Sequence, residues 1–314
     1  MKKYLILGGA GFIASHLSEA LLDQGNKVVI IDTLSVTLAP NLTTYKINIE
    51  NAKKVASVFQ KEKPDFVFHL AGAINLRRAI TDPLFLKDLD FLSRTKIVLD
   101  ACIKYNVKKI IFISSGGAIY ENATIVPTKE DYNAHPTSLY GLANLAIEKY
   151  IEAYCVPTVH LVKGDKYYHL DFTIARVSNA YGPRQWQSGF VPAVIAKILN
   201  NERPVIYGTG NQTRDFIYID DVIGLLIVLA EKGKNDIYNV GSGKEVSLNK
   251  VLKLTGELLG VNIKPVYKNS SIQETQRSAV DIKKIKKELG FIPKISMKEG
   301  LLKTIESFQK NEKP

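Results

Sequence analysis

Residues 1–32 constrain what this chain can fold into more than any other stretch. Residues 2–7 (KKYLIL) form an apolar run of the length of one buried strand. They pass into Gly8-Gly9-Ala10-Gly11, after which Phe12, Leu17, Ala20, Leu21 and Leu22 recur at helical spacing. A second apolar strand, residues 28–31, ends on Asp32. Strand, glycine turn, helix, strand and acid in that order predict a βαβ unit that holds a dinucleotide. Gly8 permits the tight turn off the strand, and Gly11 lets the backbone approach a pyrophosphate. The helix opening at Phe12 offers that anion unpaired N–H groups and the positive end of its dipole. Ala14 stands where a third glycine would close helix against strand. Asp32, 24 residues after Gly8, is placed to accept hydrogen bonds from the adenosine ribose. A carboxylate there repels a 2′-phosphate, so the pattern predicts NAD rather than NADP.

The alternation continues. Strands are expected at 44–47, 65–70, 109–114 and 172–177, with helices at about 51–62, 83–105 and 138–154. Such a run predicts an α/β fold, a Rossmann-type doubly wound parallel sheet covered by helices on both faces. Its ligand belongs at the carboxyl edge of the strands. Residues 158–162 and 166–170 alternate around Lys163-Gly164-Asp165, which predicts a β-hairpin insertion over about 158–170. Beyond Pro183 the periodicity loosens into a helix at about 190–200, short strands, and helices near 247–259 and 281–289. The expected organisation is a dinucleotide-binding domain over 1–180, with a return segment at about 215–243. Residues 181–314 mainly build a smaller substrate lobe.

With 314 residues and 46% hydrophobic content, the chain can fill a core of that size. No apolar run approaches the roughly 18 residues of a membrane span, and the first residues enter a strand directly, so neither membrane insertion nor a signal peptide is expected. Cys102 and Cys155, one on each of two expected helices, suit a reducing cytoplasm rather than a disulfide framework. Lys and Arg exceed Asp and Glu by 42 to 31, a net charge of +11. No stripe interleaves arginines with aromatics as a nucleic-acid surface would, and an anionic nucleotide diphosphate fits the balance. None of the five histidines pairs at metal-ligand spacing, so no metal is expected.

The chain resembles the extended short-chain dehydrogenase/reductase family, and within it the nucleotide-sugar 4-epimerases of the UDP-glucose 4-epimerase type. The likeness rests on GGAGFIASH at 8–16, His69-Leu70-Ala71-Gly72, FISSGGAIY at 112–120 and Tyr140-Gly141. It extends through RVSNAYGPRQ at 176–185, YGTGNQTRDFIYIDDV at 207–222 and Asn239-Val240-Gly241-Ser242-Gly243. The resemblance implies NAD contacts from Gly8, Gly11, Phe12, Ile13 and Asp32 in the first unit. It implies further contacts from Asn48, Ile49, Leu70, Ala71, Gly72, Tyr140 and Asn144. Asn48 stands where an aspartate usually meets the adenine.

In this family a tyrosine acts as general base on a sugar hydroxyl while the carbon-bound hydride goes to NAD. That role falls on Tyr140. A tyrosine pKa near 10 must be lowered for such work at neutral pH, and the family does so with a lysine four residues on. Here that position is Asn144, which can contact the ribose but carries no charge. The hydroxyl that usually meets the reacting group is replaced by Gly116. Ser115 is the leading substitute and Ser114 the weaker one. Phe91 and Arg94 replace an asparagine and a glycine on the long helix near the cofactor.

The resemblance assigns Asn179 and Arg214 to the substrate diphosphate, with a surface ion pair as the alternative for Arg214. An arginine expected upstream of Arg277 is absent, Ser271 standing in its place and Glu274 in that of its companion acid. Arg277 matches the later part of the same motif, and an Arg277–Asp281 pair packing the last helix is the equal alternative. Gly117 and Ala118 occupy the places of the acids used in elimination and decarboxylation, which disfavours both reactions. The implied function is an NAD-dependent epimerase, dehydrogenase or reductase acting on a nucleotide-diphosphate sugar through a 4-keto intermediate. The competing reading is a family member that binds NAD(H) or a nucleotide sugar without turnover. The family also implies a homodimer through helices 83–105 and 138–154, with Leu92, Ile97, Ile147 and Ile151 as candidate contacts, the alternative for each being to face the sheet.

Overall fold

The computed structural model describes residues 1–35, 42–70, 91–155, 169–185, 189–269 and 275–310. Residues 158–168 of the expected hairpin, Ala71, Gly72, Ser271 and Glu274 lie outside them.

The chain divides into two compact units. The first comprises Met1–Ser115, Thr137–Ala175 and Leu226–Tyr238, and the second Gly116–Pro136, Arg176–Leu225 and Asn239–Pro314.

The first unit is organised by strands β1 (Lys3–Leu7), β2 (Lys27–Asp32), β3 (Thr43–Lys46), β4 (Phe66–His69), β5 (Lys109–Ser115), β6 (Asp171–Val177) and β11 (Asp236–Val240). They form one seven-stranded sheet in the order β11-β6-β5-β4-β1-β2-β3. Pairings from β3 across to β5 are parallel, for instance Leu7 against Ile31 and His69. Tyr4–Leu7 and Val28–Ile31 are buried along their length, as strands covered on both faces must be. Helices α1 (Phe12–Asp23), α2 (Ala52–Glu62), α3 (Phe91–Lys104) and α5 (Leu139–Cys155) belong to the same unit, the start expected for α3 lying outside the described residues. Asn51 caps α2 by accepting the Lys54 N–H at 3.0 Å. Val98, Leu99 and Cys102 of α3 join Ile147, Ile151 and Cys155 of α5 in the core against β4, β5 and β6. Ile147 and Ile151 therefore face this core and are not dimer contacts.

The strand order reverses between β1 and β4: the sheet continues from β1 to β2 on one side and from β4 to β5 on the other. Such a switch point is where a ligand is expected, at the carboxyl edge beside Gly8 after β1 and Leu70 after β4.

Among the described residues, the second unit contains the short helix α4 (Gly116–Ile119), helices α6 (Phe190–Leu199), α8 (Leu248–Leu259), α9 (Lys283–Leu289) and α10 (Met297–Gln309), and three two-stranded sheets. These pair β7 (Asn179–Tyr181) with β10 (Phe216–Tyr218), β8 (Val205–Tyr207) with β13 (Val266–Lys268), and β9 (Thr213–Arg214) with β12 (Val246–Ser247). Helix α7 (Ile219–Lys232) runs across the division. Buried carboxylates fasten the loops. Asp215 accepts from Ser242 Oγ, the Ser242 and Gly243 N–H groups and the Val280 N–H, at 2.6 to 3.2 Å. Asp221 likewise accepts the Lys294 and Ile295 N–H groups, both at 2.9 Å.

Candidate active site

The glycine turn is built for close approach. Gly8 takes φ +83°, a conformation L side chains rarely adopt, and its N–H donates to Ile31 O at 3.0 Å. A Cβ on Gly9 would meet Ile30 Cγ2 at 2.3 Å, so it is this glycine that brings the turn against β2. Sequence reasoning passed over it. Gly11 caps α1 with no side-chain hydrogen bond. The N–H groups of Phe12 and Ile13 open the helix without intrahelical partners, as first-turn amides do. Asp32 Oδ2 accepts the Ala10 N–H and Oδ1 the Leu34 N–H, both at 2.9 Å. A carboxylate has about four acceptor positions, so Asp32 braces the glycine turn and retains capacity for ribose hydroxyls. These residues fit a bound dinucleotide.

Farther along the sheet, the Asn48 amide is turned onto Glu50, donating to Oε2 and accepting the Glu50 N–H at 3.0 Å each. Arg94 bonds the other Glu50 oxygen and lies over the Phe91 ring. The Ile49 side chain packs into the core, leaving its backbone to the edge. Leu70 extends the β1–β4 ladder, its N–H donating to Leu7 O at 3.0 Å. His69, just before it, is buried with Nε2 3.2 Å from Thr95 Oγ1. Burial holds its pKa down to about 4, so it is neutral and packs the edge.

At the end of β5 and the start of α5, Tyr140, Ser115 and Asn144 come together. Burial pushes the Tyr140 phenol above its ordinary pKa, while the Asn144 amide and the Ser115 hydroxyl, placed to hydrogen-bond it, draw it down. Asn144 Nδ2 also donates to the Tyr140 carbonyl at 2.9 Å. Ser114 is not available as the auxiliary hydroxyl, because its Oγ donates to buried Glu148 at 2.5 Å. Glu148 was also missed, although a single acid inside LANLAIEKYI four residues after Asn144 is a visible signal. Gly116 has a packing reason: a Cβ there would lie 3.0 Å from Val280 Cγ1 and 3.2 Å from Arg176 O.

The candidate substrate residues belong to the second unit. Asn179 Oδ1 is buried without a hydrogen-bond partner, 3.7 Å from where a Cβ on Gly117 would stand. Arg214 Nη1 donates to the carbonyls of Thr213 at 2.8 Å and Thr275 at 2.7 Å. Arg277 does not pair with Asp281. Its Nε and Nη2 hold the two oxygens of Glu245 at 3.0 and 2.6 Å, and Asp281 instead accepts the Lys283 N–H at the start of α9. No group of three potential metal ligands occurs among the described residues, and no helix there is long and apolar enough to cross a membrane.

Residues 4–241 match the model of the NAD dependent epimerase/dehydratase family. The chain belongs to this family. NAD is accordingly the cofactor of its dinucleotide site. The chain is 34% identical to a protein of Methanocaldococcus jannaschii described as a putative UDP-glucose 4-epimerase, over 98% of this chain and 99% of that protein. A crystal structure of the Thermotoga maritima UDP-glucose 4-epimerase with UDP-glucose superposes with a TM-score of 0.90 at 35% identity, covering 99% of this chain and 100% of the other. That of the Thermus thermophilus UDP-glucose 4-epimerase with NAD gives 0.86 at 27% identity, covering 98% and 99%.

Proposed function

We propose that this protein is a nucleotide-sugar 4-epimerase that takes a UDP-sugar through a 4-keto intermediate. The observation that carries this reading is the convergence of the Tyr140 phenol, the Ser115 hydroxyl and the Asn144 amide where β5 meets α5. Names of full-length relatives supply the substrate class. Bound NAD supplies the redox partner for the hydrogen on the reacting sugar carbon. Tyr140 accepts the proton of the sugar hydroxyl and later returns it. Ser115 bonds that hydroxyl and favours the phenolate by donating to it. The N–H groups of Phe12 and Ile13 hold the pyrophosphate, and Asp32 the ribose. Asn179 and Arg214 are assigned to the substrate diphosphate. Arg277, with two guanidinium nitrogens held by Glu245, is assigned to fastening 275–278 to 245, not to the substrate.

Asn144 favours a second reading, a binder without turnover, since it supplies no charge to a phenol already raised by burial. Denaturing the purified protein and identifying released nucleotides, then assaying turnover on a panel of UDP-sugars, separates the two. Interconversion of 4-epimers supports the first reading. Release of NAD with no reaction on any sugar supports the second.

Two further results follow from this reading. NAD(H) should bind at least about tenfold more tightly than NADP(H), about 1.4 kcal/mol, because Asp32 meets the 2′ position. Equal affinities by calorimetry would remove Asp32 from that role. The protein should also be a homodimer through the outward faces of α3 and α5, where Leu92 and Leu142 are 40% and 51% exposed. Light scattering at micromolar concentration should give twice the mass of one chain, and Leu142→Glu should return it to one.

A further inference from the structure

Glu148 has no exposed surface and lies on α5 eight residues after Tyr140 and four after Asn144. At 3.6 residues per turn, those positions drift only about 40° and 80° around the helix, so the three side chains follow one side of it. A buried carboxyl is costly unless it is hydrogen-bonded. Its Oε1 accepts from Ser114 Oγ at 2.5 Å, across 34 positions of sequence. Ser114 is itself 3% exposed. The bond thus fastens the middle of α5 to the last residues of β5, and the very next residue, Ser115, is the one whose hydroxyl meets the Tyr140 phenol.

We propose that Glu148 is a positioning residue for this site: by holding Ser114 it sets the end of β5 against α5 and keeps the Ser115 hydroxyl on Tyr140. The inference rests on Tyr140 being the base. Glu148 does not act on the phenol by charge. Its effect passes through Ser115, whose hydrogen bond favours the phenolate. Loss of that alignment makes Tyr140 a weaker base at neutral pH, without touching the glycine turn.

Glu148→Gln keeps the shape and the acceptor oxygen, whereas Glu148→Met keeps the volume and removes the acceptor. With Glu148→Met, kcat should fall at least about tenfold while NAD affinity and the sugar KM stay within about twofold. The pH midpoint of activity should rise by about half a unit or more. Glu148→Gln should stay within about threefold of wild type. Ser114→Ala should reproduce the upward shift of the Met variant, and the double variant should be no worse than Glu148→Met alone, since both changes remove the Ser114–Glu148 bond. A readout independent of turnover is the 13Cζ resonance of labelled tyrosine, with Tyr140 assigned by its loss in Tyr140→Phe. Its titration should move upward in Ser114→Ala and Glu148→Met and stay in place in Glu148→Gln. If Glu148→Met does not fold by circular dichroism, the smaller change Ser114→Ala carries the test. An unmoved Tyr140 titration in folded Ser114→Ala overturns the proposal. Activity surviving in Tyr140→Phe would instead overturn the choice of base, and the titration would still decide whether Glu148 positions Ser115.

Discussion

Tyr140→Phe is expected to lower kcat about 10³-fold, within the range for removing a general base, while NAD affinity changes by less than about twofold. The substitution deletes one oxygen and keeps the ring. The start of α5 is held by other groups: the Gly141 N–H donates to Ser138 Oγ at 3.0 Å, and Asn144 Nδ2 bonds the Tyr140 carbonyl rather than depending on the phenol. Among the described residues, neither His69 nor Ser114 can assume the role. His69 is buried, faces Thr95, and with a pKa near 4 is a poor proton acceptor at neutral pH. Ser114 is committed to Glu148. Steady-state rates on the sugar identified by the panel, with calorimetry for NAD, check the expectation. Because burial raises the wild-type phenol, log kcat should climb with pH at unit slope through neutrality. A flat profile, or a phenylalanine variant with undiminished rate, would place the base elsewhere.

The parts of the fold legible in the sequence are those where local order suffices. The β1–turn–α1–β2 unit is written in 32 consecutive residues, and the apolar runs of β4, β5 and β6 announce a covered parallel sheet. Tyr140 and Asn144 are one helical turn apart, so their proximity needs no tertiary information. What escaped depends on distant partners. Gly9 reads as one more turn glycine until Ile30 is placed 2.3 Å from its absent Cβ. Gly116 looks like a lost hydroxyl, yet Val280 and the Arg176 carbonyl leave little room for any side chain. Arg277 and Asp281 sit one turn apart in a helical register, but the chain before α9 is not helical there, and Arg277 bonds Glu245 instead. Ile147 and Ile151 are apolar at helical spacing, and periodicity alone cannot say whether such a stripe meets the sheet or a second copy of the chain. Nor can it show that Ser114 and Glu148 meet, since that bond exists only once α5 is laid along β5.

Asn144→Lys should raise the rate at neutral pH about tenfold and lower the pH of half-maximal activity by about one unit. A cation beside a phenol typically lowers its pKa by about 1–3 units. Well below that pKa the tyrosinate fraction grows tenfold for each unit of lowering, so rate and midpoint must move together. The lower end of the range is expected because the new ammonium has two neighbours. Glu148 lies four residues farther along α5, at the spacing of a helical ion pair, and its carboxyl competes with the phenol for the charge. The double variant Asn144→Lys/Glu148→Gln keeps an acceptor for Ser114 and removes that competition. Its midpoint should therefore fall further than that of the single variant, because no carboxylate then shares the new ammonium with the phenol. Asn144 is only 7% exposed, so NAD affinity must be measured alongside to detect crowding by the longer side chain. With NAD affinity intact, an unmoved midpoint would mean that the phenol is not the titrating base. Should the wild type leave every UDP-sugar unchanged and Asn144→Lys begin to interconvert one, the natural protein is a binder whose chemistry was lost at this single position.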